Sequence, residues 1–379
     1  MADMHDPLVL NGLRLRNRLV LPPVTTNFGT ADGQVTDDIL GFYERRARDV
    51  GMVVVEATAV RGDGRLVTRS LGIWDDAQQA GMARLAETIQ ARGAAATLQI
   101  NHGGARCTPL GGEFQGASPS GFRFRPDVVP FVLDPGQIAQ LVEDFVAAGV
   151  RARAAGFDAV EIHGAHLYLI GQFLSPLTNT REDRYGGDAA GRATFAVEIA
   201  QALRARLGAD APLLFRMNGV EEVAGGQTLE DAVIIAREMA RAGVDAIDVS
   251  LSTLFVGSEV DGQRLLAASS ALGKDRPAGA GVPHAAAIKR GSGLPVVAVG
   301  KLGEPQAARA LGSGSADLVA IGRQLIADPD TAGKLLSGRA EEIVPCTECR
   351  QCFATIHRGL PMGCAVNGNP AGEPVFGGA

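Results

Sequence analysis

Three side chains able to hold or move a proton stand within a few residues of one another in the stretch Val160 to Gly187, VEIHGAHLYLIGQFLSPLTNTREDRYGG. A short apolar run, Ala159 to Ile162, reads as a buried strand that ends directly in His163, and His166 and Tyr168 follow within a turn. Two imidazoles and a phenol, placed where a strand gives way to a loop, can bind a carbonyl oxygen and supply a general acid. A second set lies in PCTECRQCFATIHRGLPMGCAVNGNP, where Cys346, Cys349, Cys352 and Cys364 follow the spacing C-x2-C-x2-C-x11-C. Crowding of four of the five cysteines suits a metal site rather than a disulfide framework. Four thiolates so spaced can enclose a [4Fe–4S] cluster. A four-cysteine zinc site and a segment retained only for packing are the alternatives. Cys107, in a glycine-rich loop, reads as a free thiol.

A third set could hold phosphate. VVAVGK at 296–301 and ADLVAIGR at 316–323 each end an apolar run in glycine, and Gly300, Gly322 and Arg323 offer bare backbone N–H groups and one bidentate cation. Arg216, in LLFRMN, is either a cation set beside developing negative charge or an ordinary strand-end arginine in an ion pair.

Positioning these groups requires strands that deliver their C-terminal ends to one place. Eight apolar runs have that character: Leu19–Val24, Met52–Ala57, Ala95–Ile100, Ala159–His163, Pro212–Met217, Ala246–Ser250, Pro295–Gly300 and Leu318–Gly322. Segments of helical periodicity lie between them, among them Asp37–Arg48, Ala77–Arg92, Pro135–Ala155, Arg192–Leu207 and Leu229–Ala242. The alternation predicts an α/β fold, a (β/α)8 TIM barrel with long βα loops and a Cys-rich C-terminal segment, its active groups on the loops after the strands. An open doubly wound sheet is the runner-up, but no GxGxxG follows a first strand. Residues 1–340 are expected to form the barrel and 341–379 a segment packed on it. Gly103–Pro130 and Thr253–Val282 exceed a minimal barrel and read as excursions over its mouth.

Bulk properties narrow the function classes. The 379 residues, 46% hydrophobic, suffice for one large core. A formal net charge of −6 with scattered basic residues argues against nucleic acid or anionic membrane as partner. No apolar run reaches the roughly 20 residues that span a bilayer, and Met1 to Asn11 lacks the features of a signal peptide, so the expected location is the cytoplasm.

The motif HxxHxYLxxQFLSPxxNxRxDxYGG resembles the signature of the Old Yellow Enzyme family of FMN-dependent oxidoreductases, and more closely its branch containing dienoyl-CoA reductase and trimethylamine dehydrogenase. The resemblance runs from about residue 7 to about residue 370. It implies FMN as cofactor and NAD(P)H as reductant. NRLVLPPVTTNF matches the family's opening motif, so Pro23, Val24 and Thr25 would lie along the flavin ring, with the Thr25 hydroxyl at its O4/N5 edge. Cysteine at that slot attaches the flavin covalently in trimethylamine dehydrogenase; threonine implies a dissociable FMN. Ala57 matches a position of close approach, Gln99 the amide that pairs with the pyrimidine edge, and Arg216 the cation beside N1 and O2. Many relatives continue HxGR after the third strand, whereas this chain reads His102, Gly103, Gly104, Ala105, with Arg106 one place later.

By the same resemblance, His163 and His166 would bind the oxygen of a carbonyl- or nitro-activated alkene and Tyr168 would protonate its α-carbon. The cysteine segment, with its PMxCxxN close, resembles the branch's [4Fe–4S] segment. Longer members continue into FAD and dinucleotide-binding domains, which this chain is expected to lack. The expectation is an NAD(P)H-dependent ene-reductase. The alternatives are an amine or other substrate dehydrogenase, passing electrons through the cluster to an electron-transfer protein, and a non-catalytic flavin and iron–sulfur carrier. Homo-oligomer formation and the substrate itself are left open by the sequence.

Overall fold

Eight apolar runs become eight parallel strands in the computed structural model, which describes residues 2–108, 117–120, 122–125, 129–260, 263–269 and 272–372. They are β1 (Leu19–Leu21), β2 (Met52–Ala59), β3 (Ala95–Asn101), β4 (Ala159–Gly164), β5 (Leu213–Glu221), β6 (Ala246–Val260), β7 (Val296–Val299) and β8 (Leu318–Ala320). Hydrogen bonds run β6–β7–β8–β1–β2–β3–β4–β5, and β5 pairs with β6 to close the barrel. Helices α1 (Asp37–Arg46), α2 (Gln79–Gln90), α3 (Pro135–Ala154), α4 (Ala189–Leu207), α5 (Leu229–Arg241), α6 (Val282–Ser292), α7 (Glu304–Gly312) and α8 (Thr331–Leu336) alternate with them. Sequence sets their starts: Asp134 caps α3 in a reciprocal box with Gln137, as Thr228 caps α5 with Asp231, and α3 also has proline in its first turn.

Two apolar layers hold the barrel. Outward-facing residues such as Val53, Val55, Leu98, Ile162 and Phe215 pack under the helices. Inward-facing Val20, Met52, Val54, Leu214, Val297 and Leu318 fill the lower interior, closed by Leu10 and Leu15 of an N-terminal hairpin. Toward the C-terminal ends the inward positions turn polar: Gln99, Glu161, His163, Arg216, Asp248 and Ser250 are all buried. Polar groups at that depth must find partners, so this layer is where the fold sacrifices packing for chemistry.

Two features differ from the sequence reading. Thr253–Val282 begins as a hairpin, because β6 runs on to Val260 and pairs antiparallel with Gln263–Ser269. Leu254 and Leu266 give it an apolar face against Ala105, Phe122, Leu167 and Leu177, while Phe255 stays exposed. A wholly buried helix, Leu169–Leu174, follows Tyr168 directly. Of Gly103–Pro130, the described parts include a short turn at Gly104–Arg106 and a strand at Ala117–Ser118 paired with Phe131–Val132; residues 109–116, 121 and 126–128 lie outside the described residues.

The segment after residue 340 lies on the barrel. Met362 N–H donates to Thr26 O at 2.8 Å, the Asn27 amide to Leu360 O at 3.0 Å, and the buried Arg46 to Pro370 O at 3.1 Å. Among the described residues, no helix is long and apolar enough to cross a membrane.

Candidate active site

The strand ends open into one cavity of about 730 Å³. Every residue singled out for cofactor or catalysis lines it: Pro23, Val24 and Thr25 after β1, Ala57 from β2, Gln99 from β3, His163, His166 and Tyr168 from the β4 end, Arg216 from β5, and Gly300, Gly322 and Arg323 after β7 and β8. Gly300 has φ +129°, a conformation closed to other residues at ordinary cost. Arg323, next to Gly322, has a buried Nη1 with no hydrogen-bond partner among the described residues.

The β4 end is held in an unusual shape. His166 and Leu167 have φ of +61° and +53°, two successive non-glycine residues in the left-handed region, which costs on the order of 1–3 kcal/mol each. Three side chains hold them there. Asn218 Oδ1 accepts from His166 N–H at 3.2 Å, Gln172 Nε2 donates to Leu167 O at 2.7 Å, and Arg106 donates to His166 O. The turn aims His166 back at His163, with ring centres 5.0 Å apart, and places the Tyr168 ring 5.1 Å from His163.

Hydrogen bonds fix the imidazole tautomers. His163 Nδ1 accepts from Ala165 N–H at 3.3 Å, so Nε2 carries the proton and faces His166 Nδ1 at 3.3 Å. His166 Nε2–H then donates to Ser250 Oγ at 2.7 Å, which also accepts from Arg216 at 3.3 Å. Burial pushes both imidazoles well below the usual histidine range, and Arg216 and Arg106 push them further, so both are neutral. The Tyr168 hydroxyl makes no hydrogen bond to a described residue.

Arg216 Nη1 lies 3.2 Å from Asp248 Oδ2, and its Nε is buried without a hydrogen-bond partner among the described residues. Ser250, Arg106, Glu161 and Asp248 were not assigned roles from sequence. Their signal was parity: on β4 and β6, Glu161, Asp248 and Ser250 share the inward phase of residues already known to face the mouth. Arg106, displaced from its family place, still reaches the site: its guanidinium carbon is 4.8 Å from the centre of the Tyr168 ring.

The cysteine expectation fares differently. Cys346 and Cys352 line the cavity, Cys349 is exposed and Cys364 half-buried, and among the described residues no three His, Cys, Asp or Glu side chains gather closely enough to hold a metal ion. Burial raises Cys346 and Cys352, and their cysteine neighbours raise them a little further because thiolates are like charges, so nothing in the polypeptide alone draws them to a point. Their surroundings do suit thiolate ligands. Backbone N–H groups of Glu348, Gln351 and Phe353 meet the sulfurs of Cys346, Cys349 and Cys352, and Asn367 N–H donates to Cys364 Sγ at 3.4 Å.

A closed barrel with its working groups on the βα loops defines the class as TIM-barrel enzymes. Within that class the chain belongs to the NADH:flavin oxidoreductase / NADH oxidase family, whose sequence model matches residues 3–342. An NADH oxidase of Thermoanaerobacter brockii is 37% identical over 387 residues, covering 97% of this chain and 56% of that protein. An NADPH dehydrogenase of Listeria monocytogenes serotype 4a is 36% identical over 335 residues, covering 87% of this chain and 93% of that protein. The structure of a 2-naphthoyl-CoA reductase superimposes with a TM-score of 0.87 at 26% identity, covering 97% of this chain and 57% of that one. The chain thus spans little more than half the length of the first and third of these. FMN and NAD(P)H fit the family, and Arg216 Nε and Arg323 Nη1, both buried without hydrogen-bond partners among the described residues and both from residues lining one cavity, suit an anionic group such as FMN.

Proposed function

We propose that the protein is an FMN-dependent ene-reductase using NAD(P)H. Pro23, Val24, Thr25 and Ala57 would flank the flavin ring, Gln99 and Arg216 its pyrimidine edge, and Gly300, Gly322 and Arg323 its phosphate. FMN, when bound, supplies a hydride taken from NAD(P)H to the β-carbon of a carbonyl- or nitro-activated alkene. His163 and His166 hold the activating oxygen. As neutral imidazoles they donate hydrogen bonds to it without transferring a proton, and the carbonyl is polarised toward the electron-rich state of the transition state. Reaching that oxygen requires at least one imidazole N–H to leave its present partner, His166 or Ser250, on ligand entry. Tyr168 then gives its hydroxyl proton to the α-carbon.

The observation that carries this reading is the Tyr168 hydroxyl, without a hydrogen bond to any described residue, beside two neutral, buried imidazoles on the wall of the cavity lined by the proposed flavin residues. Similarity to a protein named NADPH dehydrogenase and to a 2-naphthoyl-CoA reductase supports the reductive direction. The test is NADPH consumption by the FMN-loaded protein under anaerobic conditions with and without 2-cyclohexenone: enone-dependent consumption with formation of cyclohexanone is expected, and consumption that ignores the enone contradicts it.

The donor chemistry around Cys346, Cys349, Cys352 and Cys364 supports these four as a [4Fe–4S] site, and no step of the reaction is assigned to it. Cys346 and Cys352 share the cavity wall with Arg323, which favours a second reading in which a substrate is oxidised and electrons leave by this segment.

A further inference from the structure

Two wholly buried carboxyl groups, Glu161 and Asp248, lie beside the polar side chains Gln99, His163 and Arg216 of the cavity wall. Gln99 on β3 is the register partner of Glu161 on β4, His163 on β4 that of Arg216 on β5, and Arg216 that of Asp248 on β6. Glu161 is 0% and Asp248 1% exposed. Charge does not balance in this layer, because two carboxyl groups face one guanidinium and His163 is neutral. Hydrogen bonding does not balance either. Gln99 Nε2 donates to Glu161 Oε1 at 2.7 Å, yet Glu161 Oε2 and Asp248 Oδ1 are both buried without a partner among the described residues. Ionised carboxylates only accept, and although Arg216 Nε and Nη1 are also buried without hydrogen-bond partners among the described residues, neither is bonded to these two oxygens, so the carboxyl pair itself lacks a donor. One proton supplies both the missing donor and the missing positive charge.

We propose that Glu161 is held as the neutral acid, its Oε2–H donated toward Asp248 Oδ1 directly or through one buried water, and that it thereby acts as a positioning residue for Gln99 and Arg216. Two consequences follow for the mouth of the barrel, both resting on the FMN reading above. Glu161 takes one of the two Gln99 amide hydrogens, so the Gln99 carbonyl oxygen is turned toward the cavity, where it can accept from a ring N–H. Asp248 keeps Arg216 with its Nε free toward the same edge, over a floor whose net charge is zero. Burial and the nearby Asp248 push the Glu161 carboxyl up to about 8, against the opposing pull of Arg216 and Gln99. Asp248 is raised by burial in the same way. Above that range Glu161 ionises and the floor becomes negative, which opposes negative charge arriving on the flavin edge.

Infrared spectroscopy of the purified wild-type protein in H2O and D2O tests this. A carbonyl stretch of a protonated carboxylic acid, shifted by D2O, should be present near neutral pH and disappear as the pH rises through about 8. Glu161→Gln copies the neutral acid, since its carbonyl accepts from Gln99 and its NH2 donates to Asp248. Glu56, whose buried carboxyl is also pushed up to about 8, contributes its own share of the band. Glu161→Gln should therefore lose the Glu161 share and keep that of Glu56, bind FMN within about threefold of wild type, and lose the alkaline inflection in the pH dependence of the FMN midpoint potential. Asp248→Asn hands Arg216 to Glu161 and should remove the same share at neutral pH through ionisation. Absence of the band in wild type, an undiminished band in Glu161→Gln, or a folded Glu161→Gln whose FMN affinity drops more than about tenfold overturns the proposal. The band is read equally in FMN-free protein, so failure to bind FMN would remove the flavin reading and leave the proton assignment standing.

Discussion

The Arg106 guanidinium sits over the Tyr168 ring, 4.8 Å from its centre, while its two terminal nitrogens donate to the carbonyls of His166 and of Ala268 on the β6 hairpin. One side chain thus joins the Tyr168 ring, the strained His166 turn and the hairpin that overhangs the mouth. Removing it costs the cation–π contact, worth about 0.5–2 kcal/mol, and releases the turn. Arg106→Ala should lower kcat/KM for an enone by roughly 2- to 30-fold with FMN content unchanged, and Arg106→Lys should recover little because it cannot make both carbonyl contacts. Steady-state kinetics alongside flavin content will show this.

Arg323 is expected to act on the other end of the cofactor. A hydrogen bond from a charged donor is worth about 1.5–3 kcal/mol, so Arg323→Ala should raise the FMN dissociation constant by roughly 10- to 150-fold. Fluorescence titration of the FMN-free protein measures it. Riboflavin, which has no phosphate, should bind wild type and variant alike; an equal loss for both ligands would take Arg323 away from the phosphate.

Neutral His163 and His166 give stability a definite dependence on pH. Both are depressed in the folded protein, so below the ordinary histidine value of 6.5 the unfolded chain takes up protons that the folded one refuses. Stability is therefore full above that value and falls as the pH drops beneath it, by about 1.4 kcal/mol per pH unit for each imidazole. Denaturant titrations between neutral and mildly acid pH should show this loss in wild type and less of it in a His163→Asn, His166→Asn double variant.

Much of this was legible in the chain. Buried parallel strands read as continuous apolar runs, so all eight strands stood out, and the residues named from sequence for flavin and substrate line one cavity, whereas Cys349 and Cys364 do not. What escaped depends on partners far away in sequence. The β6 hairpin was unread because Phe255 and Val256 are exposed and the pairing that makes them a strand comes from Gln263–Ser269. Glu161 and Asp248 hid inside apolar strands, where only the inward phase distinguishes them. The cysteines announced a ligand set by spacing, but convergence needs a cation that spacing does not provide.

That ligand set has its own outcome. Protein made and purified without oxygen should carry about four irons per chain, and Cys349→Ser should abolish iron binding while leaving most enone turnover in the folded fraction. Zinc in place of iron, or no metal in wild type, removes the cluster; turnover lost with FMN and fold intact would show that electrons must pass through it.

Proton donation by Tyr168 is the step on which the ene-reductase reading turns. Rapid mixing of the reduced, FMN-loaded protein with 2-cyclohexenone isolates it, because flavin reoxidation then reports hydride transfer and protonation without the nicotinamide step. Tyr168→Phe should slow this reoxidation by about 10²- to 10⁴-fold while the rate of FMN reduction by NADPH stays near that of wild type. Reoxidation by the enone at an unchanged rate in Tyr168→Phe would contradict the assignment.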